Sequence, residues 1–258
     1  EYLNYNMVML SLLWPVFLGW LAGGSINYFS DVLPRTRNLS KPRCRKCGQY
    51  RPWVGLIAPM NCLDCQARAS IRTWVVFLIA PGLFLLIWFY PPPTMGFYGG
   101  VLWLTFFGLV AVIDLEHRLI LHLVSLVGGL MAVIFGSFYH GLLDTVLGGA
   151  AGFGGMLILY FFGGLFTRQL SRIRGEEIEE VALGFGDVNL AGIIGLLLGW
   201  PGVIAGLILG ILIGGLGSGI FLIIKATTGS YRAFQALPYG PFLILGVVYL
   251  FYLAPYLT

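Results

Sequence analysis

Residues 202–224 read GVIAGLILGILIGGLGSGIFLII, twenty-three consecutive positions without a charged side chain. A run of this length is enough to cross the hydrocarbon of a bilayer as one helix, which takes about 20 residues. Gly206, Gly210 and Gly214 recur within it at every fourth position, a spacing that lets helices approach closely in lipid.

Further runs of the same kind lie outward from this one. On its C-terminal side the chain offers Leu237–Tyr256. On its N-terminal side lie Gly186 to Trp200-Pro201, Val146–Phe166, Leu119–Tyr139, Gly96–Ile113, Thr73–Tyr90 and a charge-free stretch from Tyr2 to Ser30, centred near Trp14 to Gly24. Pro91, Pro92 and Pro93 close one run, because consecutive prolines cannot continue a helix. The expectation is an all-α polytopic membrane protein with about eight transmembrane helices and a small zinc-ribbon-like loop domain. Three regions are expected: 1–30 as the first transmembrane helix, 31–72 as a cytoplasmic four-cysteine domain, and 73–258 as the membrane-embedded part. The chain opens at Glu1, so its start reads as trimmed or reset. Its first run lacks a basic leader region and a small-residue exit, so it reads as a span and not as a cleaved signal peptide.

Composition agrees. Hydrophobic residues make up 58% of 258 and charged residues 10%, with a mean hydropathy of +0.88, whereas soluble domains carry about 25% charged residues. The net charge of +4 points to no nucleic-acid partner, because the basic residues sit in loops between spans. With 31–72 on the cytoplasmic side, the loops on that side are 114–118, 167–185 and 225–236, and together these four segments hold all fifteen Lys and Arg. The opposite loops carry Asp144 and no basic residue. The positive-inside bias therefore puts the cysteine loop in the cytoplasm and both termini outside.

Residues 31–72 hold nine of the fifteen basic residues and all four cysteines. Cys44 and Cys47 form one C-x₂-C, and after fourteen intervening residues Cys62 and Cys65 form another. Two such pairs can close a tetrahedral Zn²⁺ site. The competing reading is a pair of disulfides, which a reducing cytoplasm disfavours. Four ligands leave no open position, so the ion would be structural.

Two acidic residues stand at the inner ends of apolar runs. Asp114 ends Ala111-Val112-Ile113-Asp114, and Asp187 follows Gly184-Phe185-Gly186. An ionisable group in a span costs about 2.5–3.5 kcal/mol on insertion scales. Two carboxylates meeting at one membrane edge suit aspartyl proteolysis, in which one takes a proton from water and the other, protonated, polarises the scissile carbonyl. The glycines around Phe185 let the backbone bend and approach closely, so that an extended peptide could pair with main chain there. Two ordinary span-end acids are the alternative, and a lone G-x-G-D is weak evidence.

Taken together, these segments resemble the prepilin peptidases (type IV prepilin leader peptidases), membrane aspartyl proteases of the GxGD class. The resemblance runs through Asn27 to Pro34, the cysteine loop with Ser70-Ile71-Arg72, Ile113-Asp114-Leu115-Glu116, and most sharply Gly184-Phe185-Gly186-Asp187-Val188-Asn189-Leu190-Ala191. It implies removal of a short basic leader from prepilins and pseudopilins, after a glycine, at the cytoplasmic face of the bacterial inner membrane. It maps the catalytic aspartates onto Asp114 and Asp187. It also implies, for bifunctional members, N-methylation of the new N-terminus from S-adenosylmethionine, although no glycine-rich nucleotide motif supports this independently. The chain departs from the family pattern at three places. Asn189 stands where a Lys is usual, Leu121-His122 where Pro-Asp is frequent, and Val181 where a Glu is expected, with Glu180 one step earlier.

The acidic run Glu176, Glu177, Glu179 and Glu180 reads either as a solvated loop or as a dock for a basic leader. Glu116, His117 and His122 read as interface residues, and His140 falls on the outer side. Two readings of another class stand beside the peptidase: a non-catalytic membrane adaptor with a zinc-ribbon partner-binding loop, and a proton-coupled transporter. Transporters bind near the midplane, whereas both aspartates lie at the inner edge.

Overall fold

The computed structural model describes residues 2–44, 46–50, 58–174, 183–227 and 238–257. Among these the chain is helical: α1 (Tyr2–Thr36), α2 (Ile71–Phe89), α3 (Gly96–His117), α4 (His122–His140), α5 (Leu142–Arg174), α6 (Phe185–Leu198), α7 (Gly202–Thr227) and α8 (Gly240–Val248). A π-helical turn, Tyr249–Leu253, joins α8 to α9 (Ala254–Leu257). No β-strand forms among the described residues, only an isolated bridge between Arg43 and Tyr50.

Among the described residues five helices, α2, α3, α4, α5 and α7, are long and apolar enough to cross a membrane, and Phe185–Leu198 and Gly240–Tyr256 are shorter apolar helices. The count is lower than the eight spans expected and compatible with them. At 14 residues, α6 extends about 21 Å, short of the roughly 30 Å hydrocarbon core. It runs from beside Ile120 to beside His140, the two ends of α4, at the centre of its unit: Val188, Leu190, Ala191, Ile194 and Leu197 are all at most 1% exposed, and a helix apolar all round belongs inside. On the other helices large apolar side chains face outward, among them Phe138 (84% exposed) and Leu216 (70%). Such a surface is untenable in water and ordinary in lipid. The protein is a multi-pass membrane protein.

Several helix boundaries differ from the sequence reading, and α1 runs six residues past Ser30, to Thr36. Helix α5 runs eight residues past Phe166, to Arg174, since no Gly or Pro interrupts 165–174. Helix α3 continues beyond Asp114 to His117, so this aspartate lies in the last helical turn. Arg118, with φ +50°, then ends the helix, and its N–H donates to the Asp114 carbonyl at 2.7 Å.

The chain forms two compact units, Glu1–Ile113 with Pro255–Thr258, and Asp114–Ala254. In the first, α1 packs along α2. A Cβ at Gly19 would meet the backbone of Pro81 and Ala80, and Trp20 stacks on Phe77 at 4.9 Å between centroids. In the second, α6 is surrounded by α4, α5, α7 and α8. Gly148 and Gly152 of α5 meet the backbone of Gly195 and Ala191. On α7, Gly206 faces Leu198 of α6, while Gly210 and Gly214 face Leu243 and Tyr239, which is the close helix packing their spacing implied.

Candidate active site and cysteine cluster

Asp187 is the third residue of α6, whose cap is Gly184 in extended conformation. The Asp187 N–H donates to the Gly184 carbonyl, and the Gly184 N–H donates to Asp187 Oδ2, each at 3.1 Å. The carboxylate thus closes the first turn of its own helix, where exposed N–H groups and the helix dipole favour an acidic group. Asp114 has no such local partner. Its Oδ2 accepts the N–H of Gly240, at the start of α8, at 3.1 Å. Both side chains are buried, at 5% and 8% exposure. They lie within electrostatic reach of each other, and Tyr239 lies within reach of Asp187.

Ile120, in the link from α3 to α4, sits beside Gly186, next to Asp187, and beside Gly240, whose N–H holds Asp114. A Cβ at Gly186 would lie 2.8 Å from the Ile120 Cβ, and one at Gly240 would lie 3.6 Å from its Cδ1. The second glycine of G-x-G-D therefore makes room for Ile120. Phe185 between the glycines is 46% exposed and meets Phe153 and Tyr160 edge-on, at 6.3 and 6.0 Å. Gly240 and Ile120 were not legible as site residues. The proline-bracketed Pro238-Tyr239-Gly240-Pro241 signals a turn, but nothing in the sequence ties it to Asp114, 126 positions away.

A groove of about 380 Å³ lies among α4, α5 and α6, with His122, Ser125, Asn189 and Phe153 in its lining. His122 and Asn189, two of the departures from the family pattern, therefore face one space. Glu116 lies 3.7 Å from His117. The acidic run at 176–180, together with Val181, lies outside the described residues.

In the other unit the four cysteine Sγ atoms lie within 4.8 Å of one another, with Cys44 to Cys65 and Cys47 to Cys62 both at 3.6 Å. A tetrahedral Zn²⁺ with Zn–S bonds of about 2.3 Å requires sulfurs about 3.8 Å apart, so the cluster fits the ion. Both halves are built alike. The Cys44 N–H donates to the Gln49 carbonyl, and Gly48 N–H donates back to Cys44. The Cys62 N–H donates to Ala67, and Gln66 N–H donates back to Cys62. The residue four after each first cysteine takes a left-handed conformation, Gly48 at φ +75° and Gln66 at +56°. Backbone amides aim at the first sulfur of each pair. Those of Cys47 and Lys46 bring Cys44 down to about 6, and those of Cys65 and Asp64 lower Cys62. The Gln49 amide draws Cys47 down, but desolvation and the neighbouring thiols outweigh it and push it up to about 12. Low-lying thiols suit metal ligation, which requires the thiolate.

The loop is tied at its base. Arg72 pairs with Asp31 at 3.0 Å and donates to the Ser30 hydroxyl. Asn27 donates to the Thr73 carbonyl at 3.3 Å. The two stretches flanking the loop that carried the resemblance, 27–34 and 70–72, meet in this contact.

A helical membrane protein with a buried pair of aspartates at helix ends has the makings of a membrane peptidase. Residues 101–219 match the sequence model of the type IV leader peptidase family. Relatives agree along more of its length. It is 28% identical over 239 residues, 85% of this chain and 76% of the other, to the prepilin leader peptidase/N-methyltransferase of Aeromonas salmonicida (strain A449). It is 29% identical over 203 residues, covering 76% and 65%, to the protein of that name from Pectobacterium carotovorum subsp. carotovorum. For the one from Aeromonas hydrophila the figures are 29% over 189 residues, 72% and 59%. No solved structure matches the chain significantly.

Proposed function

We propose that this chain is an aspartyl endopeptidase that removes the short basic leader of type IV prepilins or pseudopilins at the cytoplasmic face of the bacterial inner membrane. One observation carries the reading: Asp114 and Asp187 are buried within reach of each other, and each has one carboxylate oxygen held by a glycine amide. That leaves Oδ1 of each for water and substrate. One aspartate, charged, draws a proton from the attacking water. The other, protonated, donates to the scissile carbonyl as the tetrahedral intermediate forms. The pair acts as a dyad, and the proton belongs to both. Gly184, Phe185 and Gly186 are assigned to substrate contact, Phe185 by its exposed ring at the mouth of α6.

Cys44, Cys47, Cys62 and Cys65 are assigned as ligands of one structural Zn²⁺, which supplies a cross-link for residues 31–72 and no reaction step. N-methylation of the new N-terminus rests on the relatives' names.

The test incubates purified protein, and its Asp114→Asn and Asp187→Asn variants, with a prepilin-like substrate. The wild type is expected to shorten the substrate and both variants to leave it intact. Normal cleavage by either variant would sink the dyad. Mass analysis of the product N-terminus for an added methyl group, with and without S-adenosylmethionine, tests the second activity.

A further inference from the structure

We infer that Gly240 is a positioning residue of the aspartate site, holding Asp114 in its working orientation; this rests on the dyad reading. Asp187 is placed by its own segment, through the Gly184 amide three residues before it. Asp114 sits at the C-terminal end of α3, where the backbone offers carbonyls and no free N–H. A carboxylate there must find its donor elsewhere. The donor is the N–H of Gly240, a buried contact at 3.1 Å. As one of the first residues of α8, Gly240 has an N–H that no helical carbonyl claims.

Only glycine fits. A Cβ at position 240 would stand 2.7 Å from Asp114 Oδ2 and 3.3 Å from its Cγ, with Ile120 Cδ1 at 3.6 Å on another side. The obstacle is the carboxylate itself, so an added methyl must move either Asp114 or the amide that holds it.

The segment is braced to stay put. Pro241 follows Gly240, and the N–H groups of Phe242 and Leu243 both donate to the Tyr239 carbonyl, at 3.1 and 3.3 Å. The Tyr239 ring covers Gly214 of α7, where a Cβ would lie 2.8 Å from its Cε2, and meets the Phe242 ring. Helix α7 thus anchors the start of α8, and the start of α8 sets Asp114. The two carboxylates are thereby set by the same device, a glycine amide on Oδ2, delivered locally to one and from a distant segment to the other.

The test is Gly240→Ala in the full-length protein, assayed for leader removal against substrate concentration beside wild type, Asp114→Asn and Gly215→Ala, a position with nothing within 4 Å of an added Cβ. Misplacing a reacting group by about 1 Å costs about 100-fold. The expected result for Gly240→Ala is therefore a roughly 100-fold lower kcat with KM within a few-fold of wild type, while Gly215→Ala stays near wild type. Wild-type kcat in a folded Gly240→Ala overturns the inference, as does a loss carried by KM alone. An active Asp114→Asn overturns the dyad beneath it, a separate outcome. Should Gly240→Ala fail to fold, hydrogen exchange of the peptide covering 238–243 decides, in wild type and Asp114→Ala. Faster exchange in the variant supports the contact, and unchanged exchange overturns it.

Discussion

The cysteine cluster and the aspartate site solve the same problem, holding four or fewer polar side chains in a fixed array, by opposite means. Each cysteine pair is shaped by hydrogen bonds spanning four or five residues, Cys44 with Gly48 and Gln49, Cys62 with Gln66 and Ala67. The aspartate site draws on α3, the link after it, α6 and the start of α8, and its longest bond joins residues 126 positions apart. A local array can be completed by one ion. A non-local array holds only while the packing of several helices holds, so its parts answer to substitutions far away in sequence.

The largest effect that would break this contrast is at the aspartates. Asp114→Asn and Asp187→Asn are each expected to lower leader removal by at least about 10³-fold, at the strong end of losses for an acid–base group, while metal content measured on the purified protein stays at the wild-type level. Metal removal should do the reverse to structure. A strong chelator, or Cys44→Ser, is expected to strip one bound zinc per chain and open residues 38–70 to proteolysis, since metal binding and folding of such a loop are one equilibrium. Intact proteolytic resistance after complete metal loss would show that the loop needs no ion.

Next comes the tie at the base of the loop. Arg72 is 13% exposed and paired with Asp31, so Arg72→Met should cost about 1–3 kcal/mol, the range for stranding a part-buried polar partner, read as a lowered unfolding temperature. In the groove beside α6, His122 and Asn189 stand where the family pattern has Asp and Lys. His122→Asp combined with Asn189→Lys is expected to be better tolerated than the two single changes sum to, with a coupling of about 1 kcal/mol in a double-mutant cycle. The smallest effect separates the two cysteine halves themselves. Gln66 occupies a left-handed position that Gly48 fills in the other half, so Gln66→Gly should stabilise the loop by about 1 kcal/mol, measured by denaturation of the zinc-loaded protein.

Much of this was legible in the chain. The apolar runs located every described helix, because a helix in lipid must satisfy its backbone internally and advertise its length in uncharged residues. The cysteine spacing announced a four-sulfur cluster that could hold a metal ion, because its geometry is local. Asp187 stood out for the same reason, with its capping partner Gly184 within the same short motif. The extent of α6 read less well. As a helix it is only 14 residues long, shorter than its apolar run suggested, and its all-round hydrophobicity reflects packing by four other helices.

The sequence by itself determined a multi-pass helical membrane protein, the four cysteines that cluster, and the two acids worth watching, since each is written in spacing or in runs. Only the tertiary structure decided which carboxylate is held by which amide, why Gly186 and Gly240 carry no side chain, and that His122 and Asn189 share a groove. These depend on contacts between segments dozens of residues apart, and no spacing along the chain records where helices cross.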